Sequence, residues 1–329
     1  MTVYYSDDAV ALHLGDALDV VRSMSGESVD CVVTSPPYFG LRDYGQDGQY
    51  GLEASPAEYV ETLRALFSEV RRVLTKDGTF WLNIGDSYYS GKGSPTQPDV
   101  KNEARRPNSR TLDKPGQSWA RPKNLLGIPW RVAFALQDEG WNLRSEIIWA
   151  KRNCLPDPAP DRVARAHEQV FLFSKSRNYW FDTDAIREDS DPDQQAHNER
   201  YAREYEGHTA RAETTGQPGN VNNVGIHSRP GKGGRPSRSV WTIAAQPFPE
   251  AHFAVMPLTL AERCVLAGCK PGGTVLDPFS GSGTTGLAAT KHGRRYVGID
   301  LSAEYLDLSL KTRLAAAGLP FGSEDVARG

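Results

Sequence analysis

Apolar residues along this chain recur at two spacings, one near two and one near 3.6, and the two alternate. Ala11-Leu12-His13-Leu14 predicts a short strand ending at Gly15-Asp16, and residues 17–24 follow with helical spacing. Val29-Asp30-Cys31-Val32-Val33-Thr34 is rich in β-branched residues and predicts the next strand. Ser35-Pro36-Pro37-Tyr38 ends it, because two prolines cannot continue a central strand. Residues 56–74 predict an amphipathic helix with Ser55 as N-cap and Pro56 at its first position. Lys76-Asp77-Gly78 predicts a turn into a strand over 79–84. A helix over 129–139, stopped by Gly140, then precedes strands at 144–150 and 170–173. Beyond Phe253 the rhythm resumes with a helix over 258–267, a strand over 274–277, a glycine turn, a helix over 284–292 and a strand over 295–300. Strands alternating with helices predict an α/β fold with a doubly wound, mostly parallel sheet.

Two stretches break the pattern. Residues 90–124 carry eight Lys/Arg against three acidic residues. Residues 185–240 are polar and end in the basic, glycine-rich run Ser228-Arg229-Pro230-Gly231-Lys232-Gly233-Gly234-Arg235-Pro236-Ser237-Arg238. On composition alone a solvated linker is the plain reading of either. The expected organisation is therefore a first half over 1–184, an insertion over 185–240 and a second half of the same domain over 241–329.

The 329 residues suffice for one large core with an insertion, or for two domains. A net charge of −3 does not announce a nucleic-acid binder, so any such surface is a local patch. Cys31, Cys154, Cys264 and Cys269 form no C-x-x-C pair and have no histidine cluster beside them, so neither a disulfide framework nor a metal site is expected. Nothing at the start reads as a secretory signal, and no apolar run is of membrane-spanning length, which points to the cytoplasm.

The chemistry concentrates in two places. Val275-Leu276-Asp277-Pro278-Phe279-Ser280-Gly281-Ser282-Gly283-Thr284-Thr285 is a strand tip, a turn of small residues and a helix start. With Gly286 the bare dinucleotide pattern is also met. A carboxylate at the strand tip would repel a pyrophosphate, whereas it suits the cationic end of S-adenosylmethionine. Asp300, ending the next strand, can accept from ribose hydroxyls of either cofactor.

Thr34-Ser35-Pro36-Pro37-Tyr38 followed by the Asp277-Pro278-Phe279 turn resembles the amino-methylating DNA methyltransferases of restriction–modification systems, and the catalytic-loop-first order resembles their β group. That resemblance implies a Rossmann-like class I fold with a seven-stranded sheet, S-adenosylmethionine as cofactor and duplex DNA as substrate. It also brings in base flipping, a cognate restriction endonuclease and a homodimer. By the same token Ser35, Pro36, Pro37 and Tyr38 are the catalytic loop. The Ser35 hydroxyl and the Pro36 carbonyl accept from the exocyclic amine, Pro37 stiffens the loop, and Tyr38 stacks on the extruded base. Asp277, Pro278, Phe279, Ser280, Gly281, Ser282, Gly283, Thr284, Thr285 and Asp300 hold the cofactor.

Asp16 matches the residue that contacts the cofactor adenine, although an Asp there would equally cap the following helix. Phe253 matches a residue beside the methionine moiety. Trp149-Ala150-Lys151-Arg152-Asn153 and His167-Glu168 also resemble the family, with Asn153 and Arg162 in the base pocket, on DNA or in structural roles. Arg105, Arg106, Arg110, Arg229, Lys232, Arg235 and Arg238 are the candidate phosphate contacts. Serine at position 35 favours cytosine N4, since adenine enzymes more often carry Asp or Asn. Adenine N6 is the alternative, and a non-catalytic DNA-binding or methylation-sensing module, an RNA or protein methylase and an NAD oxidoreductase are the rivals. A ring-carbon methylase would need a Pro-Cys, which is absent.

Overall fold

A strand that is apolar on both sides needs cover on both sides, and the order of elements supplies it. The computed structural model describes residues 2–91, 115–154, 159–189, 234–246 and 255–317. Strands are β1 (Thr2–Ser6), β2 (Val10–Leu14), β3 (Val29–Thr34), β4 (Leu74–Ile84), β5 (Asn142–Lys151), β6 (His167–Ser174), β7 (Val240–Ile243), β8 (Thr274–Asp277) and β9 (Arg295–Asp300). Helices are α1 (Ala17–Ser23), α2 (Pro56–Val73), α3 (Ile128–Asp138), α4 (Leu258–Gly268), α5 (Thr284–Lys291) and α6 (Ala303–Ser309). Ser55 caps α2 by accepting from Glu58 N at 3.2 Å, and Pro56 opens it.

All residues from Thr79 to Ile84 are buried, and alternate ones face opposite ways. Phe80 meets Phe67 of α2 (ring centroids 4.7 Å apart) and Trp141 (5.2 Å), while Leu82 and Ile84 join the same cluster beneath α1, α2 and α3. Thr79 and Trp81 face the other side, toward α4. Gly268 makes that approach close: a Cβ there would lie 2.1 Å from Trp81 Nε1 and 2.5 Å from Thr79 Oγ1. Thr79 Oγ1 donates to the Gly268 carbonyl at 2.8 Å and accepts from Trp81 Nε1 at 3.1 Å. Gly268→Ala is expected to destabilise the protein by about 2 kcal/mol, read as a lower urea midpoint. An unchanged midpoint would mean that the indole slides aside without cost.

The sheet order is β1-β2-β9-β8-β3-β4-β6-β5-β7. Among the described residues there are nine strands where seven are expected, β1 and β7 being the extra edges. β1 is largely exposed and lacks an apolar period, and β7 is only four residues long. Pairing is parallel from β2 through β9, β8 and β3 to β4, and antiparallel across β4, β6 and β5. No helix lies among the described residues joining β5 to β6, so these strands pair antiparallel. Lys76-Asp77-Gly78, expected as a turn, lies within β4. Leu74 pairs with Val29 and Thr79 with Cys31, so the residues between bulge out opposite Asp30.

Contacts divide the chain into Met1–Phe181 with Ser239–Gly329, and Asp182–Arg238. Val240, which the sequence assigns to the insertion, instead begins β7 of the sheet. Within the smaller unit, Glu188 and Arg235 exchange backbone hydrogen bonds of 2.9 and 2.8 Å. The Glu188 carboxylate accepts from Ser237 Oγ at 3.2 Å and from Arg238 N at 3.1 Å, so the two ends of this unit are clasped together. Cys31, Cys264 and Cys269 are buried free thiols and Cys154 is exposed. Among the described residues no helix is long and apolar enough to cross a membrane, and no group of His, Cys, Asp and Glu is arranged to hold a metal.

Candidate active site

β3 and β8 are neighbours in the sheet although they come from opposite parts of the chain. From them the order runs outward in both directions, which makes their carboxyl ends the crevice where doubly wound folds bind ligands. The strands pair through Cys31 with Val275 and Val32 with Leu276, so Thr34 and Asp277 emerge side by side. Thr34 Oγ1 donates to Asp277 Oδ1 at 2.6 Å, and Phe279 N donates to the same oxygen at 3.0 Å. Thr285 Oγ1 reaches back to the Val33 carbonyl at 3.3 Å. The two motifs are thus stapled together. Burial raises the Asp277 carboxyl from the ordinary 3.8 to about 6, against the hydrogen bonds from Thr34, Thr285 and Phe279.

The turn after Asp277 is built to approach something closely. Gly281 has φ +49, and a Cβ there would find nothing nearer than the Phe279 carbonyl oxygen at 4.0 Å. Gly283 has φ +78 and fits against Ser309, where a Cβ would come within 2.8 Å of the Ser309 Cβ. No side chain caps α5, which begins at Thr284 and Thr285. The Ser282 hydroxyl is buried with no hydrogen-bond partner among the described residues. A buried hydroxyl without a partner is costly unless a ligand satisfies it. Ser280 is held from both sides, donating its N–H to the Ile299 carbonyl at 2.9 Å and accepting from the Tyr296 hydroxyl at 2.9 Å. Pro278 lies between Asp277 and Phe279, and the Phe279 ring meets Tyr50 edge-on at 5.0 Å.

Asp300 closes the far side of the turn. Its carboxylate accepts from Gly281 N and Ser302 N, both at 2.8 Å, and burial raises its pKa. Its carbonyl accepts from Gly15 N at 3.0 Å, which brings Asp16 to the same edge. Asp16 caps α1 by accepting from Asp19 N at 3.1 Å, so the capping role is present in the structure.

On the other side of the crevice, the Pro37 carbonyl accepts from the Tyr59 hydroxyl at 2.8 Å, which ties the Ser35–Tyr38 loop to α2. Tyr38 lies against Gly85, where a Cβ would come within 2.4 Å of its Cε2, so only glycine admits the ring. The Tyr38 hydroxyl donates to Glu168 Oε2 at 2.7 Å, and Ser35 Oγ donates to the Tyr38 oxygen at 3.4 Å. Burial, then the charge of Glu168, pushes the Tyr38 phenol well above its ordinary range. Gly85 escapes sequence reasoning, and so does the contact of Glu168 with Tyr38, although His167-Glu168 itself carries part of the family resemblance.

Other expected residues are placed differently or lie elsewhere. Asn153 exchanges hydrogen bonds with the backbone of Ala245, at 2.9 and 2.8 Å, a structural role. The Arg162 guanidinium lies 3.8 Å over the Tyr88 ring. Arg235 and Arg238 pair with Glu188 at 3.3 and 3.2 Å, so these candidate phosphate contacts already have an acidic partner. Phe253, Arg105, Arg106, Arg110, Arg229 and Lys232 lie outside the described residues.

Comparison with known proteins agrees with this geometry. A family model described as DNA methylase matches residues 29–311. The type II methyltransferase M.Cfr9I of Citrobacter freundii is 43% identical over 303 residues, which is 92% of this chain and 87% of that protein. Among solved structures, the PvuII DNA methyltransferase (cytosine-N4-specific) superposes with a TM-score of 0.61 at 19% identity, covering 99% of this chain and 90% of that one. A putative DNA modification methylase of Thermus thermophilus, TTHA0409, complexed with S-adenosyl-L-methionine, has a TM-score of 0.55 at 22% identity, covering 94% and 96%. At these identities the two structures speak for the fold.

Proposed function

We propose, on the premise that this chain belongs to the N6/N4 DNA methylase family, that it transfers a methyl group from S-adenosylmethionine to the N4 amino group of cytosine in duplex DNA. The observation that carries this reading is the junction of Thr34 with Asp277, which sets the Ser35 loop beside the glycine turn at one crevice. The partnerless Ser282 hydroxyl and the open space beside Gly281 suit a polar ligand there. Asp300 and Asp16, at the same edge, suit the ribose and the adenine. Bound there, S-adenosylmethionine supplies an electrophilic methyl group.

The protein's own residues make the amine able to attack. An exocyclic amine delocalises its lone pair into the ring and is a poor nucleophile. The Ser35 oxygen and the Pro36 carbonyl accept its two N–H groups and draw the nitrogen toward tetrahedral geometry, which frees the lone pair. Positioning supplies the rest. The target base leaves the duplex to reach the loop and lies on the Tyr38 ring. Serine at position 35 is what favours cytosine over adenine.

The insertion expected over 185–240, without Val240 which belongs to β7, is proposed as the target-recognition region, and Arg105, Arg106, Arg110, Arg229 and Lys232 as phosphate contacts. A cognate restriction endonuclease and a second copy of this chain are the proposed partners besides DNA. The test is nucleoside mass spectrometry of unmethylated genomic DNA after incubation with the protein and S-adenosylmethionine. N4-methylcytosine is the expected product. N6-methyladenine would keep the family and overturn the reading of Ser35, and no methylated base would overturn the activity itself.

A further inference from the structure

One side-chain network touches the catalytic loop without a part in the reaction as described above. The Tyr38 hydroxyl donates to Glu168 Oε2 at 2.7 Å. Asn83 Nδ2 donates to the same oxygen at 3.3 Å and to the Gln169 carbonyl at 3.2 Å. The other oxygen of Glu168 pairs with the Lys151 ammonium, which lies 4.6 Å over the Trp149 ring. These groups are largely shielded, Lys151 being 24% exposed and Glu168 15%. An ion pair held this far from water at the edge of a base pocket asks for an explanation beyond surface charge.

The direction of the hydrogen bonds offers one. A hydroxyl has a single proton to give. Tyr38 could give its proton to Asn83 Oδ1 at 3.4 Å, but the carboxylate at 2.7 Å is nearer and charged, so it takes the proton. With that proton committed, the Tyr38 oxygen can only accept, and Ser35 must donate to it. The Ser35 lone pairs are then free for a donor outside the network. A serine turned the other way could donate to the ring nitrogen beside the amine, and the amine would keep its lone pair in the ring.

We propose that Glu168 is a positioning residue that fixes the polarity of the catalytic loop, acting through Tyr38 to hold the Ser35 proton inward and offer its lone pairs to the target amine. Lys151 keeps the carboxylate in place as an acceptor, and Gly85 lets the Tyr38 ring lie where its hydroxyl reaches Glu168. The inference rests on the methyltransferase reading and holds for either target base, since both place a ring acceptor beside the amine.

The test is a double-mutant cycle of Glu168→Gln and Tyr38→Phe, followed by single-turnover methylation at saturating cofactor and DNA. The glutamine amide is isosteric but can donate to Tyr38 and reverse the chain. Glu168→Gln alone is expected to slow the reaction roughly 10- to 30-fold, with cofactor Kd and DNA KM unchanged. In the Tyr38→Phe background, where no hydroxyl remains to orient, it should cost nothing further. Glu168→Asp keeps the charge beside Lys151 while withdrawing the oxygen, and it should repeat the pattern if the glutamine variant fails to fold. Equal losses in both backgrounds, or a loss confined to KM, would overturn the proposal and leave the ion pair as a strand fastener. A wild-type protein that methylates no base would instead overturn the reading on which the proposal rests.

Discussion

Ser35→Ala should slow methyl transfer by about 100- to 1,000-fold while S-adenosylmethionine binds as tightly as before. The alanine removes the acceptor proposed for one amine proton, and it leaves intact the glycine turn, where Asp277 bonds to Thr34 rather than Ser35. Single-turnover rates measured beside cofactor binding separate the two effects. A variant with full rate would mean that the Pro36 carbonyl alone activates the amine. A variant that loses cofactor binding would mean that the loop belongs to the cofactor site.

Asp277→Asn should remove one defined component of the pH dependence of stability. The carboxyl has a pKa of about 6 in the folded protein against 3.8 ordinarily, so between those values the folded state binds more protons than the unfolded one. Stability from this group is therefore fully present below 3.8 and is lost as pH rises through about 6, a change of about 3 kcal/mol. Asparagine can still accept from Thr34 and does not titrate. Urea unfolding from about pH 3 to 7 should show the wild type falling relative to the variant by that amount, and parallel profiles would rule the account out. S-adenosylmethionine adds a second readout. If its cationic end lies near this carboxylate, wild-type affinity should rise as pH passes about 6 while that of the variant stays flat.

Much of this site was legible because its motifs sit where regular structure ends. Ser35-Pro36-Pro37-Tyr38 had to be a loop, since prolines cannot extend β3, and Gly281 and Gly283 take the left-handed angles that their residue type permits. That β3 and β8 lie side by side was not visible in spacing, because their paired tips are 243 residues apart in the chain. The edge strands were hidden because β1 buries too little to leave a period and β7 is too short to show one. The contact of Tyr38 with Glu168 was hidden for a different reason. Glu168 lies on a strand that meets Tyr38 only once the antiparallel register of β4 and β6 is set, and that register depends on side-chain packing along the whole ladder. Asp16 showed both of its readings, and the structure displays the capping one.

The pairing of β3 with β8 also has a consequence in time. Thr34 and its partner Asp277 are 243 residues apart in the chain. At a synthesis rate of about 5–20 residues per second, a ribosome needs on the order of 10 to 50 s to deliver the second after the first. Throughout that interval the nascent β3 has an open edge of unpaired backbone groups, a template for pairing with a wrong strand. Translation that stalls before β8 therefore leaves a polypeptide that carries the whole Ser-Pro-Pro-Tyr loop yet modifies nothing and tends to aggregate, and chaperone dependence should concentrate in that window.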